Sequence, residues 1–425
     1  MARKMKDSGI EWIGEIPEGW EVSQLKYATR WKSEKGCPDA PVLSLYRDFG
    51  VVPKDSRDDN HNVTSLDTSN YKVVDIGDLV INKMKAWQGS MAVSDYRGIV
   101  SPAYHVCSIT SNKVNKRYLH HLLRNPAYLP EYARLSTGMR IGQWDLGFDD
   151  FKNIPFLIPP IDEQAKIADY LDNGCASLDA MLSKTRSSIE EYKKLKQAVI
   201  TQAVTKGVRG EREMKDSGVE WIGEIPREWN KCKLKNISID IGDGLHGTPK
   251  FDDSGEVYFI NGNNFSSEYV EPKFDTKKLC LEESLNYPKP ELTEQTIMIS
   301  LNGSYGKVCL YRYFPMLLGK SAGYITLLPS INRRYVRYYL SSTPAQIIMT
   351  LSLNGTTIPN LSLNTLYNFP TILPSASEQA EIADYLDAKC AEIDGLIAKK
   401  EQLVKELESY KKSLIYEVVT GKREV

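Results

Sequence analysis

The chain has 425 residues and a mass of 48.1 kDa, with 41% hydrophobic and 26% charged residues, which predicts a soluble protein of about two to four domains. No apolar run approaches the roughly eighteen residues that a membrane span needs, and seven cysteines without a C-x-x-C pair argue against a disulfide framework or zinc ribbon and favour the reducing cytoplasm. The net charge of −1 excludes a uniformly basic nucleic-acid binder but not a locally basic surface.

The chain contains one module written twice. Residues 5–26 and 214–235 are identical at fifteen of twenty-two positions, and both contain the string M-K-D-S-G-x-E-W-I-G-E-I-P. A second repeated string, E-Q-A-x-I-A-D-Y-L-D, occupies residues 163–172 and 378–387. The two copies are offset by 209 residues at the first string and by 215 at the second, which is far too long for a solenoid repeat and indicates a tandem duplication.

The repeats divide the chain into four segments, in which two predicted α/β bodies alternate with two predicted helical segments. Residues 1–156 and 211–372 form two bodies in which short apolar runs alternate with Gly, Asn, Asp and Pro clusters, as in mixed α/β domains. Residues 157–210 and 373–425 are predicted to be helical. Matched strands are predicted at 78–82 and 295–300, and matched helices at 114–124 and 331–340.

Each helical segment starts after proline. Ser375-x-x-Glu378 has the form of a capping box, and a short helix at about 163–172 or 378–387 is expected to precede a longer one. Apolar residues at 4-3-type spacing then predict two seams of roughly 28 residues, or about 42 Å, interrupted by Thr185, Lys196, Lys400 and Lys411. The seam residues are Leu178, Leu182, Ile189, Tyr192 and Val199 in the first helix and Ile393, Ile397, Val404, Leu407 and Leu414 in the second. Two such seams in one chain favour pairing as a coiled coil.

The motifs of the common catalytic chemistries are absent from the sequence. There is no phosphate-binding G-x-x-x-x-G-K-[ST] loop, no G-x-G-x-x-G after a strand, and no double-proline motif of the kind that grips a flipped base. The five histidines show no metal-ligand spacing. The sequence therefore predicts neither a catalytic site nor a metal site.

Several loops combine cations, amides and aromatic residues, the side chains that contact phosphates and base edges. The candidates in the first body are Lys83, Lys85, Trp87, Gln88, Arg140, Gln143 and Trp144. Those in the second body are His246, Thr248, Lys250, Asn302, Lys307, Asn354, Thr356, Thr357 and Asn360. Taken singly, each loop also fits an ordinary solvated turn.

A comparison of the two copies favours the functional interpretation. At one aligned stretch Arg140, Gln143 and Trp144 correspond to Thr357, Asn360 and Leu361, while the neighbouring Gly and Ile are retained. A constant frame with different polar residues is what two readers of different targets would show.

The chain resembles the specificity subunit of type I restriction–modification enzymes. The resemblance rests on the S-G-x-E-W-I-G-x-I-P-x-x-W opening of each half, the proline-rich exit followed by E-Q-A-x-I-A-D-Y-L-D, and the D-G-x-H-G-T-P string from Asp243 to Pro249. It implies two target-recognition domains alternating with two long helices. A tandem copy whose helices pair as an antiparallel coiled coil would also relate the two bodies by an approximate twofold.

The resemblance also implies a division of labour. In that family the subunit has no catalytic activity, binds no cofactor of its own, and directs two modification subunits and the restriction subunits to double-stranded DNA. S-adenosylmethionine, ATP and Mg²⁺ would then belong to the partner subunits. Each recognition domain would read one half of a gapped site, and the helices would set the gap.

Two alternatives remain at this level. A structural coiled-coil adaptor that separates two protein-binding domains would show the same duplication, although it gives no reason for the amide- and cation-bearing loops. An enzyme with an unrecognised site would have to modify or cut DNA on its own.

Overall fold

The computed structural model describes residues 3–47, 49–57, 64–65, 67–138, 144–353 and 359–425. The chain divides into two compact units. Unit 1 comprises Met1–Arg186 and Gln402–Val425, and unit 2 comprises Ser187–Glu401. Each unit therefore contains one body and parts of both long helices. No helix in the described part of the chain is long and apolar enough to cross a membrane.

The first half of the chain forms short strands and three short helices before a long one. The strands are β1 (Met5–Asp7), β2 (Glu15–Pro17), β3 (Glu21–Gln24), β4 (Thr29–Lys32), β5 (Leu43–Tyr46), β6 (Gly50–Pro53), β7 (Lys72–Val74), β8 (Asp78–Asn82), β9 (Met91–Val93), β10 (Gly98–Val100), β11 (Tyr104–Ile109), β12 (Ser136–Thr137), β13 (Asp145–Leu146) and β14 (Pro155–Ile158). The helices are α1 (Lys116–Leu123), α2 (Leu129–Leu135), α3 (Phe148–Phe151) and α4 (Ile161–Lys206).

The second half follows the same plan. Its strands are β15 (Met214–Asp216), β16 (Glu224–Pro226), β17 (Asn230–Lys233), β18 (Ser238–Asp243), β19 (Val257–Ile260), β20 (Lys278–Leu279), β21 (Thr296–Ser300), β22 (Val308–Leu310), β23 (Met316–Leu318), β24 (Ala322–Leu327) and β25 (Pro370–Leu373). Its helices are α5 (Leu281–Leu285), α6 (Arg333–Ser341), α7 (Thr343–Leu351), α8 (Leu363–Tyr367) and α9 (Ala376–Val419).

A four-stranded antiparallel sheet organises each unit. Its order is β4-β11-β8-β9 in unit 1 and β18-β24-β21-β22 in unit 2. The strands predicted at 78–82 and 295–300 occupy the same place, third in the order, and are almost wholly buried. Continuous burial on both faces explains why these runs are apolar without alternation. The mixed α/β fold in two copies is confirmed.

The predicted body helices are also present, as α1 and α6. Each begins at an asparagine N-cap, Asn115 or Asn332, whose side-chain oxygen accepts the backbone N–H groups two and three residues later. Such caps satisfy donors that would otherwise be orphaned at the helix start. The buried tyrosines Tyr118 and Tyr335 follow at equivalent positions and donate to the carbonyls of Leu157 and Ile372, respectively.

The prediction of a short helix followed by a long one is wrong. α4 and α9 are continuous over 46 and 44 residues. α4 passes through Asn173 and Gly174 without interruption, and an added Cβ at Gly174 would meet Leu414 Cδ2 at 3.5 Å, an ordinary contact distance within unit 1.

Portions of α4 and α9 pair antiparallel within each unit, which confirms the predicted pairing. In unit 1, Lys411 binds Asp179 at 2.6 Å and Arg186 binds Glu408 at 2.5 Å. In unit 2, Lys196 binds Asp394 at 2.6 Å, and the Lys400 amine lies 5.7 Å from the centre of the Tyr192 ring. The lysines that interrupt the seam thus have partners on the facing helix.

The structure places the ten predicted seam residues in buried or half-buried positions. Fully buried are Leu178, Leu182, Ile189, Ile393 and Leu414. Half-buried are Tyr192, Val199, Ile397, Val404 and Leu407. Thr185, the remaining interruption, is buried and donates its hydroxyl to the Met181 carbonyl at 2.8 Å, so its polar atom is satisfied inside its own helix.

Candidate nucleic-acid interface

Equivalent loops follow the third strand of each sheet. In unit 1 the loop after β8 turns back at Gly89, and in unit 2 the loop after β21 turns back at Gly306. Both glycines have a positive φ, and an added Cβ would lie within 2.8 Å of Leu129 or 2.7 Å of Gln346. The two loops therefore depend on glycine for backbone conformation and for space.

In unit 1 this loop meets the segment before α3. The backbone N–H of Leu146 donates to the Lys83 carbonyl at 3.0 Å, and the Lys83 amine binds Asp145 Oδ2 at 3.0 Å. The Trp87 and Trp144 rings lie 5.1 Å apart between centroids, inclined at 60°. The structure thus brings together predicted candidates from two distant stretches of sequence. Lys85 is exposed, and Gln88 is half-buried.

Three polar atoms in this region of unit 1 lack a partner. Trp87 Nε1, Asp145 Oδ1 and His105 Nδ1 are shielded from solvent and have no hydrogen-bond partner among the residues that the structure describes. His105 Nε2 lies 3.2 Å from the Leu146 carbonyl oxygen, and burial lowers the pKa of His105. Unpaired buried polar atoms are uncommon in folded proteins, so three of them beside one loop need an explanation.

In unit 2 the equivalent loops present two amides. Asn302 and Asn360 face each other across an antiparallel bridge, and the Leu361 N–H donates to the Leu301 carbonyl at 2.9 Å. Asn302 Nδ2 donates to the Lys320 carbonyl at 3.4 Å. Asn360 is exposed, and Asn302 is half-buried.

The His246 loop lies beside the same segment of unit 2. The Leu245 N–H donates to the Leu318 carbonyl at 2.7 Å, two residues from the Lys320 carbonyl that Asn302 contacts. His246 Nε2 lies 2.7 Å from Asp243 Oδ2, within the D-G-x-H-G-T-P string. Thr248 and Lys250 are exposed, so this loop adds polar side chains next to the two amides.

The remaining candidates fall elsewhere. Lys307 is exposed and lines a groove of about 1090 Å³ together with Lys196 and Arg337, towards the helices of unit 2. The predicted contacts Arg140, Gln143, Asn354, Thr356 and Thr357 lie outside the described residues.

The predicted match of Trp144 in the first copy with Leu361 in the second is wrong by two residues. Leu146 donates to Lys83, the residue after β8, and Leu361 donates to Leu301, the residue after β21. Leu361 is therefore the equivalent of Leu146 and not of Trp144. The sequence match was made with the spacing that holds for α1 and α6, but the stretch from the N-cap Asn115 to Leu146 is two residues longer than the stretch from Asn332 to Leu361.

The constant motifs form a contact, buried in unit 2 and half-buried in unit 1, that the sequence did not reveal. Trp20 Nε1 donates to Glu163 Oε2 at 3.1 Å, and Trp229 Nε1 donates to Glu378 Oε2 at 2.9 Å. An arginine completes each contact: Arg3 lies 2.6 Å from Glu163, and Arg212 lies 2.7 Å from Glu378. The motifs recur because they hold each body to a long helix.

This contact corrects the predicted capping box. Ser375 Oγ does accept the Glu378 N–H at 3.3 Å, but the Glu378 carboxylate binds Trp229 and Arg212 instead of returning to the helix start. The next residue acts in the same way in both units. Gln164 Oε1 accepts the Asn115 N–H at 2.8 Å, and Gln379 Oε1 accepts the Asn332 N–H at 2.9 Å.

A third repeated contact differs in one residue. Arg117 and His121 both bind Asp172, with Arg117 Nε at 2.6 Å and His121 Nε2 at 2.6 Å. The hydrogen bonds from His121 and Arg117 lower the pKa of Asp172 to about 2 against the opposing effect of burial. In unit 2 the equivalent of His121 is Tyr338, whose hydroxyl donates to Asp387 at 2.7 Å.

The described residues contain no group of three or more His, Cys, Asp and Glu side chains that could hold a metal ion. What the loops can do chemically is offer hydrogen-bond donors, acceptors and aromatic rings on a rigid backbone frame. These are the groups with which proteins contact DNA bases and phosphates.

Comparison with known proteins agrees with this geometry. The family model described as type I restriction modification DNA specificity domain matches residues 17–191 and 226–406, once in each half. The chain is 28% identical to the type I restriction enzyme MjaVIII specificity subunit of Methanocaldococcus jannaschii over 430 residues, covering 96% of this chain and 93% of the relative.

Two solved structures share the fold. One is a chain from work on complex assembly and conformational transition of the type I R-M system, with a TM-score of 0.73, 16% identity and coverage of 96% of this chain and 99% of that one. The other is the HsdS subunit from Thermoanaerobacter tengcongensis, with a TM-score of 0.53, 16% identity and coverage of 96% and 98%.

Proposed function

Because the chain belongs to the family of type I restriction modification DNA specificity domains, we propose that it is the non-catalytic subunit that chooses the DNA sequence for a type I complex. Each unit would read one half of a bipartite, gapped double-stranded DNA site. The two long helices would set the gap and dock the modification subunits.

The observation that carries this proposal is that the two units share a backbone hydrogen bond between equivalent loops while the loop side chains differ. Leu146 and Leu361 make the same backbone hydrogen bond in the two units, yet the residues around it are Lys83, Asp145 and two tryptophans in one and two asparagines in the other. Asparagine can bind adenine through two hydrogen bonds, and lysine binds phosphate or guanine. A protein-binding adaptor has no need to vary these tips while it preserves the frame.

Exposed apolar residues support the docking of modification subunits on the helices. Tyr170, Met181 and Leu195 are exposed on α4, and their equivalents Tyr385, Leu396 and Tyr410 are exposed on α9. Exposed large apolar residues that recur at matched positions mark a protein-binding surface. Because the set occurs twice, it suits two copies of one partner.

Catalysis would then belong to the partner subunits. We assign S-adenosylmethionine, ATP and Mg²⁺ to the modification and restriction subunits, with the assembly in the cytoplasm. The chain alone should bind neither ATP nor S-adenosylmethionine in a calorimetric titration. Micromolar binding of either would contradict a non-catalytic role.

The decisive experiment is to map methylated adenines in cells that carry this chain and its modification subunit. The expected pattern is a single motif of two short sequences separated by unspecified base pairs. Arg140→Ala or Gln143→Ala should relax one half of the motif, and Asn360→Ala should relax the other. If both substitutions altered the same half, two independent readers would be disproved. A chain that fails to bind DNA at any salt concentration would favour the structural adaptor.

The role of the helices can be tested by inserting four residues between Ser187 and Ser188. The insertion adds about 6 Å of helix, or one to two base pairs at roughly 3.4 Å each. Both half-site sequences should be kept while the gap between them grows. An active complex that retains the original gap would show that the helices only bind partners.

A further inference from the structure

The corrected alignment pairs Asp145 of unit 1 with Asn360 of unit 2. Each precedes the leucine that donates to the residue after the third strand, Leu146 in one unit and Leu361 in the other. Both side chains are accessible: Asn360 is exposed and the Asp145 side chain is 47% exposed. The same position of one frame therefore carries a carboxylate in unit 1 and an amide in unit 2.

The residue that follows the third strand also differs between the two units. Lys83, which follows β8, binds Asp145 Oδ2 at 3.0 Å, whereas its equivalent Leu301 is buried. The acid thus occurs where a cation is beside it, and the amide occurs where the neighbour is apolar. An unpaired carboxylate would repel the phosphates of bound DNA, so this combination is what a DNA surface requires of an acidic reader.

The two side chains differ in what they can read. A carboxylate only accepts hydrogen bonds, and in the major groove cytosine offers an amino donor without the neighbouring N7 acceptor that adenine carries beside its own amino group. An amide donates and accepts, which suits the N6 and N7 pair of adenine.

We propose that Asp145 is a specificity-determining residue that reads a cytosine amino group in the first half-site, with Lys83 as its positioning residue. Oδ2 accepts from the base while Lys83 holds the carboxylate and offsets its charge. The inference rests on the proposed function and deepens it, because it assigns one base class to one side chain. Asn360 is the matched position for the second half-site.

The test uses the full chain assembled with its modification subunits, and measures methylation rates on a library of DNA sites. Asp145→Asn should move one position of the first half-site from cytosine towards adenine by about tenfold in relative rate and leave the second half-site unchanged. Asn360→Asp is the matched control and should alter only the second half-site. Asp145→Ser, which shortens the side chain, should relax the preference at that position without creating a new one.

The positioning role of Lys83 has its own readout. Lys83→Leu alone should slow methylation of all sites because it leaves Asp145 unneutralised against the phosphates. The double variant Lys83→Leu with Asp145→Asn should recover much of that loss and show the altered preference. If the double variant is no faster than Lys83→Leu, the lysine does not act through Asp145.

The outcomes separate the two levels of inference. A wild-type complex that methylates without sequence preference would overturn the proposed function itself. A wild-type complex that reads a bipartite site, with the first half-site unchanged in both Asp145→Asn and Asp145→Ser, would overturn this inference alone. In each variant the second half-site reports within the same molecule that the protein is folded and assembled.

Discussion

The two units keep the contacts that hold each body to a helix and differ in the loops beyond the sheet. Trp20 and Glu163 in unit 1 repeat as Trp229 and Glu378 in unit 2, at nearly the same distance. The loop side chains have changed from charged and indole groups to amides. The first set is structural, because it joins each body to a long helix, and the second set is where the proposed recognition of two different half-sites would be encoded.

The largest expected difference between the units concerns these glutamates. The Glu378 side chain is 2% exposed and Arg212 14%, whereas Glu163 and Arg3 are 23% and 29% exposed. Glu378→Ala leaves the buried Trp229 indole N–H without its acceptor and Arg212 with only the exposed Glu228 as a carboxylate partner, and should cost unit 2 about 3 kcal/mol. Glu163→Ala should cost unit 1 about 1 kcal/mol because water reaches its arginine.

Hydrogen exchange resolved by unit measures this difference, because each substitution should weaken protection in its own unit. Equal losses for the two variants would show that burial does not distinguish the contacts. Glu163→Gln and Glu378→Gln serve as controls, since an amide oxygen still accepts from the tryptophan.

The second comparison concerns the loop glycines. Gly89→Ala and Gly306→Ala each place a Cβ on a backbone with positive φ and within 2.8 Å of another side chain. Each should destabilise its unit by about 1–3 kcal/mol and weaken recognition of one half-site. Gly306→Ala should be the milder change, because the close atom belongs to the flexible end of Gln346 and not to the branched Leu129. Thermal unfolding with half-site methylation rates tests both effects.

The sequence predicted the two-copy organisation because the repeated strings are the residues that make the constant contacts. It also located the third strand of each sheet, whose full burial leaves an unbroken apolar run. It missed the continuity of α4 and α9 because the apolar seams begin only at Leu178 and Ile393, after the repeated string, which made each string look like a separate short helix.

The site was predicted less completely than the fold. Asp145 was not a candidate, since an acid is unexpected at a DNA surface until Lys83 is found beside it. Loop residues were matched by sequence identity, whereas the backbone hydrogen bond of Leu146 and Leu361 defines which positions are equivalent. Long-range pairing of this kind is invisible in a single sequence.

The third comparison concerns the aspartate that His121 binds in unit 1 and Tyr338 binds in unit 2, and it tests how stability depends on pH. Because the folded-state pKa of Asp172 is lowered to about 2, the stability it contributes is fully present above its unfolded value of about 3.9 and is lost as the pH falls towards 2. Solvent screening of this partly exposed carboxylate limits the contribution to about 1 kcal/mol. Asp172→Asn should therefore lower the free energy of unfolding of unit 1 at pH 7, and the difference from wild type should shrink below about pH 4. Urea titrations at both pH values measure it. A constant difference would show that the charge of Asp172 does not stabilise the fold.

The smallest expected effect concerns the lysines that interrupt the seams. Lys411 and Lys196 are equivalent and bind Asp179 and Asp394, with the lysine side chains 25% and 28% exposed and the aspartates more than half exposed. Pairs exposed to this degree contribute about 0.2–1 kcal/mol each and are screened by salt. Lys196→Met and Lys411→Met keep the alkyl packing and remove the charge, so each should change the free energy of unfolding by less than about 1 kcal/mol, with the difference vanishing near 1 M salt. Lys193→Met is the control, because its partner Glu190 lies on the same helix.

If the lysines specify the register of the facing helices, the two test variants should also broaden the distribution of gap lengths in the methylated motif, and the control should leave it sharp. A loss of stability in the test variants that persists at high salt would show that these lysines act through packing and not through charge.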